Sequence, residues 1–181
     1  HNLLFMVDEV QTGMGRLGSL FGYQEFDLQP DVMTLAKGLG GGVPIGAFMS
    51  TNNAMSLTYG DHGSTFGGNP LTSAAAYAVT KHIIDNDLAT NARTMGNYLM
   101  NLLENLKSRF NFITEIRGRG LLIAIEFDED LSARVLEKTN EAGILLNAVK
   151  PNALRLMPAL NITTEEITQG VERIEKALTQ L

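Results

Sequence analysis

The sequence has no cysteine, and this absence excludes disulfide bonds and thiolate metal sites. Histidine is scarce as well, and the three histidines, His1, His62 and His82, lack the spacing of metal ligands. Lysine and arginine number 14 against 20 acidic residues, and they form no dense cluster anywhere in the sequence. The net charge of −6 therefore argues against a nucleic-acid-binding surface.

Long apolar runs are also missing from the sequence. No apolar stretch approaches the roughly 18 residues that a membrane-spanning helix needs. We therefore expect no metal site, no membrane partner and no nucleic-acid partner, and we expect a cytoplasmic location. Apolar residues nevertheless make up 44% of the 181 residues, which suffices for the core of one large domain or two small ones.

The chain opens on an apolar run, Leu3 to Val7, that is typical of a strand in the middle of a parallel sheet. Because a domain rarely begins with its most buried strand, we expect a longer polypeptide whose missing part lies upstream. The run ends in two adjacent acids, Asp8 and Glu9, and these cost desolvation energy unless they find a partner. Without further information, solvated loop acids explain them equally well.

A second apolar run, Val32 to Ala36, delivers a single lysine, Lys37, into a glycine-rich segment at 38–42. Open α/β sheets place their ligand sites where buried strands end and the backbone turns. A lysine at such a position can act as a nucleophile toward a carbonyl carbon. Taken alone, however, Lys37 is better explained as a solvated lysine beside a flexible turn.

The remaining pattern predicts a third early strand, two long helices and then a compact α+β region. The predicted strands and helices are a strand at 44–50, helices at 70–85 and 87–109, strands at 113–120 and 121–127 that form either a pair or one kinked strand, a helix at 131–142, strands at 144–146 and 153–157, and a final helix after Thr163. Asn69 and Pro70 suit the start of the first helix, as N-cap and first helical residue. We place the domain boundary inside the second helix, which gives domains at 1–100 and 101–181.

Thr65 lies between glycines just before the first long helix, where a pair of loop hydroxyls would be an ordinary finding. Considered together, the acid at Asp8, the amine at Lys37 and the hydroxyl at Thr65 match the needs of pyridoxal 5'-phosphate. This cofactor requires a lysine that binds its aldehyde, a carboxylate that keeps its ring nitrogen protonated, and donors for its phosphate. The same lysine is suited to act as the general base that moves a substrate proton.

Three stretches carry a family resemblance: V-D-E-V-Q-T-G-M-G-R at 7–16, A-K-G-L-G-G-G-V-P-I-G-A at 36–47, and H-G-S-T-F-G-G-N-P at 62–70. They resemble the class III (ω-amino) aminotransferases of fold type I, and the resemblance runs from Leu3 to the end of the chain. It implies an α/β fold, with part of the large mixed-sheet, cofactor-binding domain at 1–100 and the C-terminal α+β small domain at 101–181.

The resemblance also implies roles for individual residues. Lys37 would bind pyridoxal 5'-phosphate covalently, Asp8 would pair with the ring nitrogen, and Gln11 would lie beside the ring hydroxyl. Thr65 would reach the cofactor phosphate of the opposite subunit, which implies a homodimer with shared active sites. Arg155 would grip a substrate carboxylate, a task that suits its planar fork, although without the resemblance it reads as a surface strand residue. The acid and the arginine at positions 9 and 16 would give structural support only.

Within the family, the triple glycine after the lysine and the R-G-R-G-L turn at 117–121 are most similar to members that act on N-acetylornithine. This implies transfer of its δ-amino group to 2-oxoglutarate, which gives glutamate, in arginine biosynthesis. Two alternatives stay open: another ω-amine donor such as ornithine or 4-aminobutyrate, and a truncated domain that performs no chemistry. Family members are about twice as long as this chain, so we expect the 181 residues alone to have little or no transaminase activity.

Overall fold

The computed structural model describes residue 1 and residues 3–181, which divide into two compact units, His1–Ala89 and Thr90–Leu181. The division falls near the start of the second long helix, whereas the predicted domain boundary at 100/101 falls farther inside that helix. The assignment of 1–100 and 101–181 to a large and a small domain stays a prediction. Within the described residues, no helix is both long and apolar enough to cross a membrane.

The first unit contains a three-stranded mixed sheet and a helix: β1 (Met6–Asp8), β2 (Val32–Leu35), β3 (Ala47–Ser50) and α1 (Pro70–Asp85). Strand β1 runs parallel to β2 with Asp8 opposite Thr34, and β3 runs antiparallel to β2 with Ala47 opposite Leu35. Two 3₁₀-helices, Gly22–Phe26 and Lys37–Gly40, lie on either side of β2 along the chain. The predicted strands are confirmed: β2 and β3 are shorter than predicted, and β1 lies at the end of the predicted run and extends to Asp8.

Strand β1 differs from the expectation of a buried central strand. It is an edge strand of this three-stranded sheet, because β2 is its only pairing partner among the described residues. Met6 of this strand is 64% exposed, and Leu3, which precedes the strand, is 82% exposed. Apolar composition predicted the strand correctly, but burial depends on neighbours that the described residues do not provide.

Helix α1 begins and ends at the residues predicted for it. The Asn69 side-chain oxygen accepts a hydrogen bond from the backbone N–H of Thr72 at 3.1 Å, and Pro70 occupies the first helical position. Both features are local, since the cap satisfies one orphan N–H and proline needs no hydrogen bond there. Local sequence alone therefore fixes the start of this helix.

The second unit contains a four-stranded antiparallel sheet and helices: α2 (Leu88–Lys107, which begins two residues before the division), β4 (Ile113–Arg119), β5 (Leu122–Phe127), α3 (Ser132–Glu141), β6 (Asn147–Lys150), β7 (Ala153–Leu156) and α4 (Thr164–Leu178). The strand order is β4-β5-β7-β6. The core includes buried side chains of α2 and α4, namely Leu99, Leu103, Leu106, Ile167, Val171, Ile174 and Leu178. These are apolar faces that helical periodicity predicts, and the predicted strand pair at 113–127 is confirmed as β4 and β5.

The prediction of a strand at 144–146 is wrong. The strand β6 lies just after this segment, at Asn147–Lys150, and Leu145 is 88% exposed. Pairing in a hairpin starts beside its turn, so Lys150 pairs with Ala153 and the ladder ends with Asn147 opposite Arg155. The apolar run lies beyond the end of this ladder, and Ile144 and Leu146 instead pack against the core from an irregular segment.

Helix α4 begins with the predicted capping box. The Thr163 hydroxyl accepts from the Glu166 N–H at 3.3 Å, and the Glu166 carboxylate accepts from the Thr163 N–H at 2.9 Å. Replacement of Thr163 by alanine is expected to lower the free energy of unfolding by about 1 kcal/mol, because an N-cap acceptor is lost. Urea unfolding checks this, with Thr164→Ala as the matched control at the exposed neighbouring position; equal losses for both variants would contradict a capping role.

The same capping box predicts a dependence on pH. The backbone N–H and then the hydroxyl of Thr163 hold the pKa of the Glu166 carboxyl below its ordinary value. A carboxyl whose pKa is lower in the folded state stabilises that state above its unfolded pKa of about 4.3. This contribution is lost as the pH falls through the lower folded pKa. The stability difference between the native chain and Thr163→Ala should therefore narrow on acidification below about pH 4.

Candidate active site

Lys37 lies just beyond the carboxyl end of β2, at the first position of the 3₁₀-helix Lys37–Gly40. Its backbone is left-handed, with φ of 44°, a conformation that is unfavourable for a lysine. Its side chain is exposed. A strained backbone conformation persists only where the surrounding structure holds it in place, and such residues cluster at functional sites.

Glycine is required in the turn that follows the lysine. Gly41 has φ of 60°, and a Cβ atom at this position would lie 2.5 Å from Val79 Cγ2 of helix α1. The turn therefore lies against α1 with no room for a side chain. This contact places the lysine turn beside the helix that follows the Ser64–Gly68 loop.

A cleft of about 730 Å³ opens beside Lys37 within the first unit. Its lining combines the lysine, the segment after the triple glycine, the loop before α1 and one residue of α1. These residues are Ala36, Lys37, Gly42, Val43, Pro44, Ile45, Gly46, Ser64, Phe66, Gly67, Gly68 and Thr72. A cleft of this size suits a small-molecule ligand.

Asp8 and Lys37 lie at the same end of the sheet, where the carboxyl ends of the parallel strands β1 and β2 meet. Asp8 pairs with Thr34 at the end of parallel strands, and Lys37 follows Thr34 by three residues. Asp8 is exposed, and its Oδ1 accepts a hydrogen bond from the Val10 N–H at 2.9 Å. Gln11 is half-buried in the turn that follows. Neither Asp8 nor Gln11 lines the cleft, so their predicted cofactor contacts stay predictions.

Thr65 lies in the loop that borders the cleft, but its own side chain does not line it. Its neighbours Ser64 and Phe66 do, and the Gly67 N–H donates to the Ser64 hydroxyl oxygen at 2.9 Å. Thr65 itself is exposed. The structure thus brings the predicted lysine and the predicted loop together, whereas the role of the Thr65 hydroxyl stays a prediction.

Arg155 belongs to strand β7 of the second unit, where it is half-buried. One guanidinium nitrogen, Nη2, donates to Asn147 Oδ1 at 2.7 Å. Its Nε is buried and has no hydrogen-bond partner among the described residues. A buried donor without a partner is uncommon, and it leaves this guanidinium with unused hydrogen-bonding capacity.

Glu9 was assigned only general structural support by its sequence position, but its contacts are specific. The side chain is 3% exposed, and its two carboxylate oxygens accept from the N–H groups of Gly22 and Tyr23. The adjacent arginine of the motif, Arg16, is half-buried, and burial lowers the pKa of its guanidinium. The sequence indicates only that Glu9 needs a partner, because an acid directly after a buried strand is costly without one. It does not indicate which residues provide that partner.

Comparison with known proteins identifies the same family that the three motifs resemble. The family model of the class III aminotransferases matches residues 1–178. An acetylornithine aminotransferase from Caldanaerobacter subterraneus subsp. tengcongensis is 42% identical over 181 residues, which are 100% of this chain and 46% of the relative. The chain therefore spans about half the length of the curated relatives it matches.

Solved structures give the same result for the fold. An acetylornithine aminotransferase from Elizabethkingia anophelis superposes with a TM-score of 0.95 at 39% identity, over 100% of this chain and 49% of that one. An ornithine aminotransferase from Plasmodium yoelii superposes with a TM-score of 0.93 at 36% identity, over 99% and 48%. These matches confirm the predicted α/β fold of type I. Sequence, motifs and fold agree, and the chain belongs to the class III aminotransferases.

Proposed function

We propose that the protein, at the length its gene encodes, is a pyridoxal 5'-phosphate-dependent aminotransferase. The observation that carries this proposal is Lys37, an exposed amine on strained backbone at the edge of a 730 Å³ cleft, on the same sheet edge as Asp8. An amine and a carboxylate at the ends of neighbouring parallel strands are the two groups that the chemistry of this cofactor most depends on.

The cleft fits the cofactor by its donor set and its shape. Lys37 offers an amine and Ser64 offers a hydroxyl group at the lining of the cleft. A Cβ atom added at Gly42 or Gly68 would meet nothing within 4 Å, so the cleft is open beside both glycines. The bound cofactor supplies an electron sink for the charge that is left when a substrate carbon loses its proton.

The residues of this chain would divide the work as follows. Lys37 would hold the cofactor through its amine and would serve as the general base that moves the proton at the substrate carbon. The Asp8 carboxylate, which accepts a hydrogen bond from the Val10 N–H, would keep the ring nitrogen protonated, and Gln11 would lie beside the ring hydroxyl. Arg155 would bind a substrate carboxylate, since a planar guanidinium fork matches a carboxylate.

The proposal extends to substrate and pathway. We infer that the δ-amino group of N-acetylornithine is transferred to 2-oxoglutarate, in arginine biosynthesis, because relatives named acetylornithine aminotransferase match 99–100% of the chain at 41–42% identity. Ornithine is the second candidate donor, and the observation in its favour is the 0.93 TM-score to an ornithine aminotransferase.

The proposal also includes a homodimer in which Thr65 reaches the partner subunit's cofactor. The loop around Thr65 supports this, because it exposes large apolar side chains that a monomer rarely leaves in water. Tyr59 is fully exposed and Phe66 is 82% exposed. Such side chains are suited to an interface that completes the site from a second copy.

The donor comparison tests the proposed substrate. Steady-state kinetics with 2-oxoglutarate as acceptor are expected to give a kcat/KM for N-acetylornithine at least about tenfold above those for ornithine and 4-aminobutyrate, a difference of about 1.4 kcal/mol. A higher kcat/KM for ornithine than for N-acetylornithine would contradict the proposed donor and favour ornithine instead. If none of the three donors is turned over and no visible cofactor band appears, the proposed activity is contradicted. The result would then favour the alternative of a domain that performs no chemistry.

A further inference from the structure

A buried carboxylate lies directly behind the carboxylate that we assign to the cofactor. Glu9 is 3% exposed, whereas its neighbour Asp8 is exposed. Adjacent residues of an extended segment point to opposite sides, which agrees with an exposed Asp8 beside a buried Glu9. A buried acid is costly unless its oxygens are satisfied, and this one is.

Glu9 joins two segments that are distant in sequence. Its Oε1 accepts from the Tyr23 N–H at 2.7 Å, and its Oε2 accepts from the Gly22 N–H at 3.0 Å and from the Thr12 hydroxyl. Hydrogen bonds to a charged acceptor are stronger than those between neutral groups. The carboxylate therefore fastens the 3₁₀-helix Gly22–Phe26 to the turn that follows β1.

The backbone of Glu9 is fixed as firmly as its side chain. Its N–H donates to the Thr34 carbonyl of β2 at 3.0 Å, and its own carbonyl accepts from the Gly13 N–H at 3.0 Å. The residues around Glu9 are closely packed. A Cβ atom at Gly22 would lie 3.0 Å from Glu9 Oε2, and one at Gly13 would lie 2.9 Å from the Glu9 carbonyl oxygen. The residue directly after Asp8 is thus held from three directions.

We propose that Glu9 is a positioning residue that fixes the Asp8 carboxylate for the cofactor. The link between them is Val10, whose N–H donates to Asp8 Oδ1 and whose position follows from that of Glu9. The inference rests on the proposed function for the role of Asp8. The positioning itself is a property of the cofactor-free chain and is tested separately.

The test variant is Glu9→Gln, and the matched control is Ser19→Ala. Glutamine preserves the shape, but its NH₂ group would face an N–H or hydroxyl donor where an acceptor is needed, so at least one hydrogen bond is lost. Ser19 donates to the Phe21 carbonyl at 2.7 Å, in the same loop but not to Glu9. The control therefore loosens the loop without touching the carboxylate.

Amide hydrogen exchange of the cofactor-free protein, at the length its gene encodes, measures positioning directly. Glu9→Gln is expected to raise exchange at least tenfold at both Tyr23 and Val10, and Ser19→Ala is expected to leave Val10 unchanged. Faster exchange at Tyr23 with unchanged exchange at Val10 would overturn the proposal, because Glu9 would then only anchor the loop. If Glu9→Gln does not fold, Gly22→Ala, which presses a methyl group against Glu9 Oε2, gives the same comparison.

Cofactor binding provides the second readout. The dissociation constant for pyridoxal 5'-phosphate is expected to rise at least tenfold in Glu9→Gln, with a displaced maximum of the visible band, and to stay unchanged in Ser19→Ala. A native band and affinity in folded Glu9→Gln would contradict positioning while the proposed function stands. A wild-type protein without any cofactor band would contradict the proposed function, and the exchange result would still decide whether Glu9 orients Asp8.

Discussion

Replacement of Lys37 by alanine is expected to remove the visible absorption band of the bound cofactor and to lower kcat by about 10³-fold. The amine is required twice, once to bind the cofactor covalently and once to move the substrate proton, and alanine can do neither. Stability is expected to change little, because the exposed side chain leaves no cavity and the left-handed backbone stays strained for any residue except glycine. Absorbance spectra and steady-state kinetics of the purified variant check both effects.

The matched control is Lys81→Ala. Lys81 is an exposed lysine of helix α1 that forms an ion pair with Asp85 at 2.6 Å, outside the lining of the cleft. Its replacement is expected to leave the band and kcat unchanged, and to cost less than about 1 kcal/mol of stability. A Lys37→Ala variant that kept both band and turnover would show that another amine does the chemistry.

Replacement of Gly96 by alanine is expected to destabilise the second unit by about 3 kcal/mol. In the interior of a helix this substitution ordinarily stabilises, because alanine has the higher helix propensity. Here the sign reverses, since the added methyl group would overlap the backbone of Gly120, whose Cα would lie 2.8 Å away. Backbone atoms cannot rotate aside as a side chain can, so helix α2 would have to move away from the turn between β4 and β5.

Gly170→Ala in helix α4 is the control for this prediction. The nearest atom to a Cβ there is Ile144 Cδ1 at 3.6 Å, an ordinary contact. The same substitution should therefore stabilise the chain at this position, by up to about 1 kcal/mol. Urea unfolding of both variants checks the opposite signs. A stabilising Gly96→Ala would mean that α2 does not approach Gly120 as closely as described.

Local signals predicted the helices best. The Asn69-Pro70 pair predicted the start of α1, and the capping box between Thr163 and Glu166 predicted that of α4, because the first signal comes from adjacent residues and the second from residues three positions apart. The apolar run at 144–146 misled the strand prediction for the opposite reason. Whether this run pairs depends on how far the β6–β7 ladder extends from the turn that joins the two strands. The composition of the run does not encode that length.

The candidate site was predictable in its residue types but not in its conformation. Motifs located Lys37, and the parallel register of β1 and β2 places it at the same end of the sheet as Asp8. The left-handed backbone of Lys37 has no sequence signal, because lysine does not favour it and only packing maintains it. The partners of Glu9 lie 13 and 14 residues farther along the chain, so only the fold reveals that its carboxylate is satisfied.

The most direct test of the account is chemical trapping at Lys37. The protein at the length its gene encodes is incubated with pyridoxal 5'-phosphate, reduced with borohydride, digested and analysed by mass spectrometry. The account predicts a reduced cofactor adduct on the peptide that contains Lys37, and none on peptides that contain Lys81 or Lys150. An adduct on another lysine, or no adduct on any of them, would contradict the central claim that Lys37 holds the cofactor.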